Sequence, residues 1–209
     1  FLTMSGAASL GGLDPASLGG LDPAGWKWGE NGEIKNGEPS CKVDDEEEFS
    51  EEEDVEEAFF KHSQSLEPED VWRMKVLAGR GAVVGIALEW YDVEMHRKTY
   101  MSTARVELSS GTTFIYPGIS SDGERHFHPG LLKDRIPKTL PYDLALRITK
   151  DGNVPQLRFN DDGQWHDFTP EGGGVGLKAG PWFPCLMLSP DSRLSDHRVN
   201  RPRPVKGAG

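Results

Sequence analysis

Polar and apolar residues alternate most cleanly between Leu140 and Leu188. Tyr142, Leu144, Leu146 and Ile148 alternate with Asp143, Ala145, Arg147 and Thr149, the period of two that predicts a strand with one buried face. Asp151-Gly152 then supplies the positive-φ positions a short hairpin turn needs, and Leu157 and Phe159 mark the return strand. Asp162-Gly163 predicts a second turn before Trp165 and Phe168. After a glycine loop, residues 181–188 read as an inner strand. Upstream, Val71 to Leu77 alternates, Gly79-Arg80-Gly81 turns, and Ala82 to Trp90 is rich in strand formers. Ser102–Leu108 and Thr112–Tyr116 flank Ser109-Ser110-Gly111 as a further hairpin, whereas proline and glycine make 117–141 mostly loop. Seven to nine short strands at hairpin spacing predict an all-β chain, an antiparallel β-sandwich of jelly-roll type over residues 66–190. Such an architecture points towards binding rather than catalysis.

The flanks read differently. Residues 1–43 form a Gly/Pro-rich leader in which Ser-Leu-Gly-Gly-Leu-Asp-Pro-Ala occurs twice, at 9–16 and 17–24. Two copies are too few for a solenoid, so the leader is expected to be flexible. Trp26 and Trp28 are expected to pack loosely on the surface, with a short linear motif as the alternative. Residues 44–65 read as a disordered acidic linker whose end, Val55 with Ala58, Phe59 and Phe60, predicts one helical turn. Residues 191–209 read as a flexible basic tail, a counterpart in charge to the acidic stretch.

Charge refines this division. The chain has 209 residues and a net charge of −11, yet residues 44–57 alone hold eleven acids and no base. Removing those eleven from 34 acids leaves 23, against 23 Lys and Arg, so the remainder is neutral. Without a basic field, a nucleic-acid partner is not expected. No apolar run approaches the length of a membrane span, so no membrane partner is expected. Two cysteines, Cys41 in a polar segment and Cys185 in an apolar run, predict no disulfide and an intracellular, cytoplasmic or nuclear, setting. The chain begins at Phe1 without a signal-peptide pattern and is expected to be a fragment, with Met4 a candidate start.

Val71-Trp72-Arg73-Met74-Lys75-Val76-Leu77 followed by Ala82-Val83-Val84-Gly85-Ile86-Ala87 resembles the W-x-V-x-V … V-G-V-A opening of SPRY (B30.2-type) domains. Phe159, Asn160 and Gly163 stand near that family's F-x-x-N-G strand, and Gly180 to Leu186 is similar to its closing G-x-x-Y/F-P-x-x-x-L strand. Phe114-Ile115-Tyr116-Pro117-Gly118 stands where the family carries a Trp-Gly element. The resemblance spans about residues 66–190. It implies a bent, concanavalin-like sandwich that recognises proteins through loops at one edge, as an adaptor or substrate receptor, including in ubiquitin ligation.

Several constellations invite chemistry. His126-Phe127-His128, if extended, turns both imidazoles to one side, the arrangement with which cupin-type enzymes grip a metal. The ordinary reading is a surface loop, and Asp134 falls one residue late for a third ligand. Glu89, Asp92 and Glu94 around Trp90-Tyr91 suit either a solvated strand end, a protein hot spot or a sugar-stacking site. Gly172 to Gly176 lacks the strand–loop–helix context and the Lys-Ser/Thr of a phosphate loop. No nucleophile-elbow spacing unites Ser, His and Asp, so no catalytic residue is expected. The expectation is a non-catalytic module without cofactor or resident metal that binds a protein or peptide. Its candidate contact residues are Trp90, Tyr91, His126, His128 and Trp165, on loops at 90–101, 117–130 and 161–166. A glycan-binding lectin-like sandwich and a cupin-like metalloenzyme using His126 and His128 are the alternatives.

Overall fold

A computed structural model of the chain describes residues 22–42, 57–88, 103–116, 126–161, 163–171, 177 and 180–201. These fold as two antiparallel sheets packed face to face, with a small hairpin at one side. In chain order the strands are β1 (Trp26–Trp28), β2 (Gly32–Lys35), β3 (Glu38–Cys41), β4 (Ala58–His62), β5 (Val71–Ala78), β6 (Val83–Leu88) and β7 (Thr103–Glu107). They continue as β8 (Thr112–Tyr116), β9 (His126–His128), β10 (Tyr142–Ile148), β11 (Pro155–Phe159), β12 (His166–Asp167), β13 (Trp182–Leu188) and β14 (Arg193–Asn200). One sheet has seven strands in the order β1-β4-β13-β6-β7-β8-β9; the other has five, β12-β11-β10-β5-β14; β2 and β3 form the hairpin.

Alternation decides which residues meet between the sheets. Phe60, Val84, Ile86, Val106, Ile115 and Leu186 point inwards from the larger sheet, and Trp72, Met74, Leu144, Leu146, Leu157 and Phe159 meet them from the smaller one. A side chain of this size fully removed from water contributes about 1.5–3 kcal/mol before entropy is counted, so this layer dominates stability. The expected inner strand at 181–188 is β13, paired on one side with β4 and on the other with β6. The β10–β11 hairpin closes through Gly152 and Asn153, both at positive φ.

The sandwich is larger than the expected 66–190. The leader at 1–43 contributes β1, β2 and β3, and Trp26, expected loosely on the surface, is buried at 3% exposure, while Trp28 is 42% exposed. Strands of three or four residues hold too few positions to display a period. The expected helical turn after the acidic stretch is instead β4, with Phe60 facing the core. The expected flexible tail at 191–209 supplies β14, paired along β5. Its alternation is hidden by a bulge between Ser195 and Arg198, with Asp196 at φ 56, and by an inward residue that is a histidine. The acidic stretch itself and its pairing with the tail lie outside the described residues.

That histidine helps close one side of the sandwich. Trp26 stands edge-on to His62 at 5.0 Å and to His197 at 5.4 Å, and His197 stacks on Trp72 at 5.8 Å between ring centroids. The Gln64 amide donates to His62 Nδ1 at 2.9 Å, so the ring proton sits on Nε2 and donates to the Asp22 carbonyl at 2.9 Å. A Cβ on Gly25 would collide with this ring, which explains the glycine at the foot of β1. Burial, partly offset by Asp22, lowers the pKa of His62, and burial takes that of His197 down to about 3. Both rings are therefore neutral structural elements at neutral pH.

Candidate functional site

The outer face of the five-stranded sheet carries the first group of polar side chains. Register places Arg73 on β5, Ala145 on β10 and Arg158 on β11 in one row, with Arg198 of β14 beyond Arg73. Asp161 Oδ1 accepts from Arg73 Nη1 at 2.7 Å and from Arg158 Nη2. The hydrogen bond from Arg73 does most to hold the Asp161 carboxyl below its ordinary pKa. Asn160 and Asp161 both lie at positive φ, and Asn160 exchanges bonds of 2.9 Å with the Asp143 backbone, which fixes this turn over the sheet.

Trp165, a candidate contact residue, joins this group. The Arg147 and Arg158 guanidinium carbons lie 4.2 and 4.8 Å from its ring centroid. Arg147 also donates to Gln156 Oε1 at 2.9 Å and to Glu69 Oε2 at 3.3 Å, and Gln156 passes the chain on to Asp167 at 2.7 Å. Small Ala145 leaves a cleft of ≈ 30 Å³ among Arg73, Arg158, Asp161 and Arg198, room for about one water. Arg73, Arg158 and Arg147 already face acids of the chain, and the ring of Trp165 is held by the last two.

The second group lies at β9, the edge strand of the larger sheet. His126 pairs with Ile115 and His128 with the buried Thr113, so the expected surface loop is here an edge strand and both imidazoles share one side, the core side. Their rings stack at 6.4 Å, both half-buried, and His128 Nε2 has no hydrogen-bond partner. Phe127, between them, points the other way and is 56% exposed, the most exposed of the large apolar side chains described. It packs on Phe114 at 5.1 Å, and the Arg105 guanidinium carbon lies 5.9 and 5.8 Å from the Phe114 and Tyr116 rings.

His126 and His128 thus come together, whereas Trp165 belongs to the outer face of the other sheet. Trp90 and Tyr91, with the loops 89–102 and 117–125, lie outside the described residues. Among the described residues, no three His, Cys, Asp or Glu side chains are grouped to hold a metal. Burial pushes the Cys185 thiol up to about 12, against the opposing fields of Arg105 and Lys61, so it is no thiolate nucleophile at neutral pH. None of the described helices is long and apolar enough to cross a membrane.

Phe127, Phe114, Arg105, Arg147 and Arg158 were not singled out by sequence. The signal for Phe127 was present: in H-x-H, two inward histidines force the middle residue outwards. Arg147 and Arg158 follow from the register of the β10–β11 hairpin, whose turn falls at Gly152-Asn153, one residue later than the expected Asp151-Gly152.

No family profile and no curated protein matches the chain. Among solved structures, it is similar to the SPRY domain of human HERC1, at 12% identity over 88% of this chain and 99% of that one, with a TM-score of 0.47. It is similar also to the Emp46p carbohydrate recognition domain, at 9% identity over 84% of this chain and 88% of that one, TM-score 0.46. The exoplasmic/lumenal domain of VIP36 is similar at 12% identity over 92% of this chain and 90% of that one, TM-score 0.42.

Proposed function

We propose that this protein is a non-catalytic recognition module that binds a protein or peptide at the corner formed by β8 and β9. The observation that carries the reading is Phe127, exposed on an edge strand yet held in place by Phe114. A fixed, solvent-facing aromatic loses little freedom on binding and is the residue type on which interface energy concentrates. Edge strands also offer backbone N–H and C=O groups to an added strand, so β9 can hold a peptide's main chain beside the ring. In this reading the module acts as an adaptor or substrate receptor, of the kind used in ubiquitin ligation. The buried cysteines Cys41 and Cys185, neither of them in a disulfide, support an intracellular setting.

A peptide-display library and a glycan array, each probed with the full chain and with its Phe127→Ala variant, test this. The expected result is a set of peptides that bind the parent at least about tenfold more tightly than the variant. Phe127 is mostly exposed, so the variant should keep its stability within about 0.5 kcal/mol. Glycan binding without peptide binding, or peptides indifferent to Phe127→Ala, would overturn the reading.

A further inference from the structure

We infer that residues 22–42 form a strap that acid lifts off the sandwich as one piece, turning β4 into an open edge and uncovering one side of the Trp72 ring. The device is separate from the β8–β9 corner and does not depend on the recognition reading. Its first support is how little backbone ties the strap down. β1 pairs with β4 over three residues, flanked by the Gly29 amide donating to the Phe59 carbonyl at 3.1 Å and the Ser63 amide to the Gly25 carbonyl at 2.8 Å. β2 and β3 pair with each other and close through Asn36 and Gly37, both at positive φ. The Lys42 amide, donating to the Asn31 carbonyl at 2.9 Å, also stays within the strap. The hairpin can therefore leave still folded, in a local opening rather than a global one.

The second support is that the strap's side-chain anchors meet titratable groups. Trp26 lies against His62, His197 and Trp72, the last at 6.3 Å between ring centroids. Asp22 gives its carbonyl to His62. Glu38 Oε1 accepts from the Asp196 amide at 2.9 Å, and Glu38 Oε2 stands 3.6 Å from His197 Nε2. A second proton on His62 would have to sit on Nδ1, where it meets the Gln64 amide and breaks that bond. His197 is 6% exposed and neither ring nitrogen has a hydrogen-bond partner, so a proton there is a charge sealed between Trp26 and Trp72. With the strap lifted, both rings reach water and carry the proton at little cost, so protonation favours the lifted state. The remaining groups modify this. Asp22 partly offsets the effect of burial on His62, and Glu38, raised by burial, takes up a proton of its own and offsets part of the release. Lys27 and Lys61 alternate with Trp26 and His62 and so point to the opposite face, and β5 presents the uncharged Trp72.

The test is amide hydrogen exchange, read residue by residue by NMR on the full chain at pH 7.5 and pH 5, with intrinsic exchange rates divided out. His197 alone should raise the opening constant of the strap about thirtyfold over this range, and the Glu38 offset should leave about tenfold. The Gly29 and Ser63 amides, which bond across the strap boundary, should show the rise. The Lys42 amide, bonded within the strap, and the amides that pair β5 with β10 should keep their protection. Glu38→Gln keeps an acceptor for the Asp196 amide and removes the offset, so its rise should reach about thirtyfold. His197→Phe should remove most of the rise. An equal rise in β5 and β10 would overturn the inference, because acid would then loosen the whole sandwich. So would Gly29 and Ser63 amides indifferent to pH, or a rise that His197→Phe leaves unchanged.

Discussion

At the side of the sandwich where β1 and β4 meet β14, Trp26 fills the gap between His62 and His197, and both rings are buried and uncharged. At the opposite side, where β8 and β9 approach β12, His126, His128 and His166 sit half-buried. The register with Ile115, Thr113 and Leu157 turns all three towards the interior. There Thr113 Oγ1 donates to the Phe168 carbonyl at 2.6 Å, a side-chain bond that ties β8 to the chain just after β12. Histidines face inwards at both sides, and what differs is the bulk beside them. Two indoles complete the first side. Burial then makes its histidines part of the core, whereas the second side keeps its imidazoles within reach of water.

Removing the indole that closes the first side should give the largest effect. Trp26→Ala is expected to cost about 3–5 kcal/mol in urea unfolding, the range for deleting a buried tryptophan. A cost under about 1 kcal/mol would show that β1 only leans on the sandwich and that the two sides are alike.

Acid should separate the sides next. His197 has a folded pKa of about 3 against the unfolded 6.5, and that of His62 is also lowered. A depressed histidine contributes stability that is complete above the unfolded value and is lost as the pH falls below it. From pH 7.5 to 5, His197 alone should remove about 2 kcal/mol. The groups facing it work in both directions. His62 protonates in the same sense, while the Glu38 carboxylate, 3.6 Å from His197 Nε2 and raised by its own burial, takes up a proton and offsets part of the loss. Urea midpoints over this range should flatten in His197→Phe. A parent indifferent to pH there would mean that the ring is not sealed from solvent.

The same contrast shows what the sequence can disclose. The β10–β11 hairpin was legible because Tyr142 to Ile148 alternates without interruption and a turn dipeptide follows. β14 was not, because its bulge shifts the phase at Ser195 and the inward residue there is His197, a polar type. Trp26 was hidden among glycines and prolines, since a strand of three residues has no period to read. For the H-x-H motif, spacing disclosed that both rings share a side, and it could not disclose depth. Depth depends on β12 and Phe168, about forty residues further along the chain. Trp165 was legible as an aromatic in a turn, but its two arginine neighbours come from β10 and β11.

A smaller effect is expected at the open side. Thr113→Val removes the donor from the Phe168 carbonyl and should cost about 1 kcal/mol, because the bond is buried. Loss of several kcal/mol would show that this bond, rather than Phe168 packing, closes the side.

The smallest expected effect concerns the histidines themselves. His126 and His128 are half-buried, and among the described residues no third metal-binding side chain joins them. A resident metal ligated by both rings would link binding to folding and raise the melting temperature with metal concentration. Excess zinc should therefore move the melting temperature of the parent no more than that of the His126→Ala, His128→Ala variant. The variant itself should fall by no more than about 1 kcal/mol, the net worth of an ordinary hydrogen bond. A zinc-dependent rise in the parent, absent from the variant, would instead make the open side a metal site. The half-buried imidazoles would then be ligands, and the difference between the two sides would be one of chemistry as well as of packing.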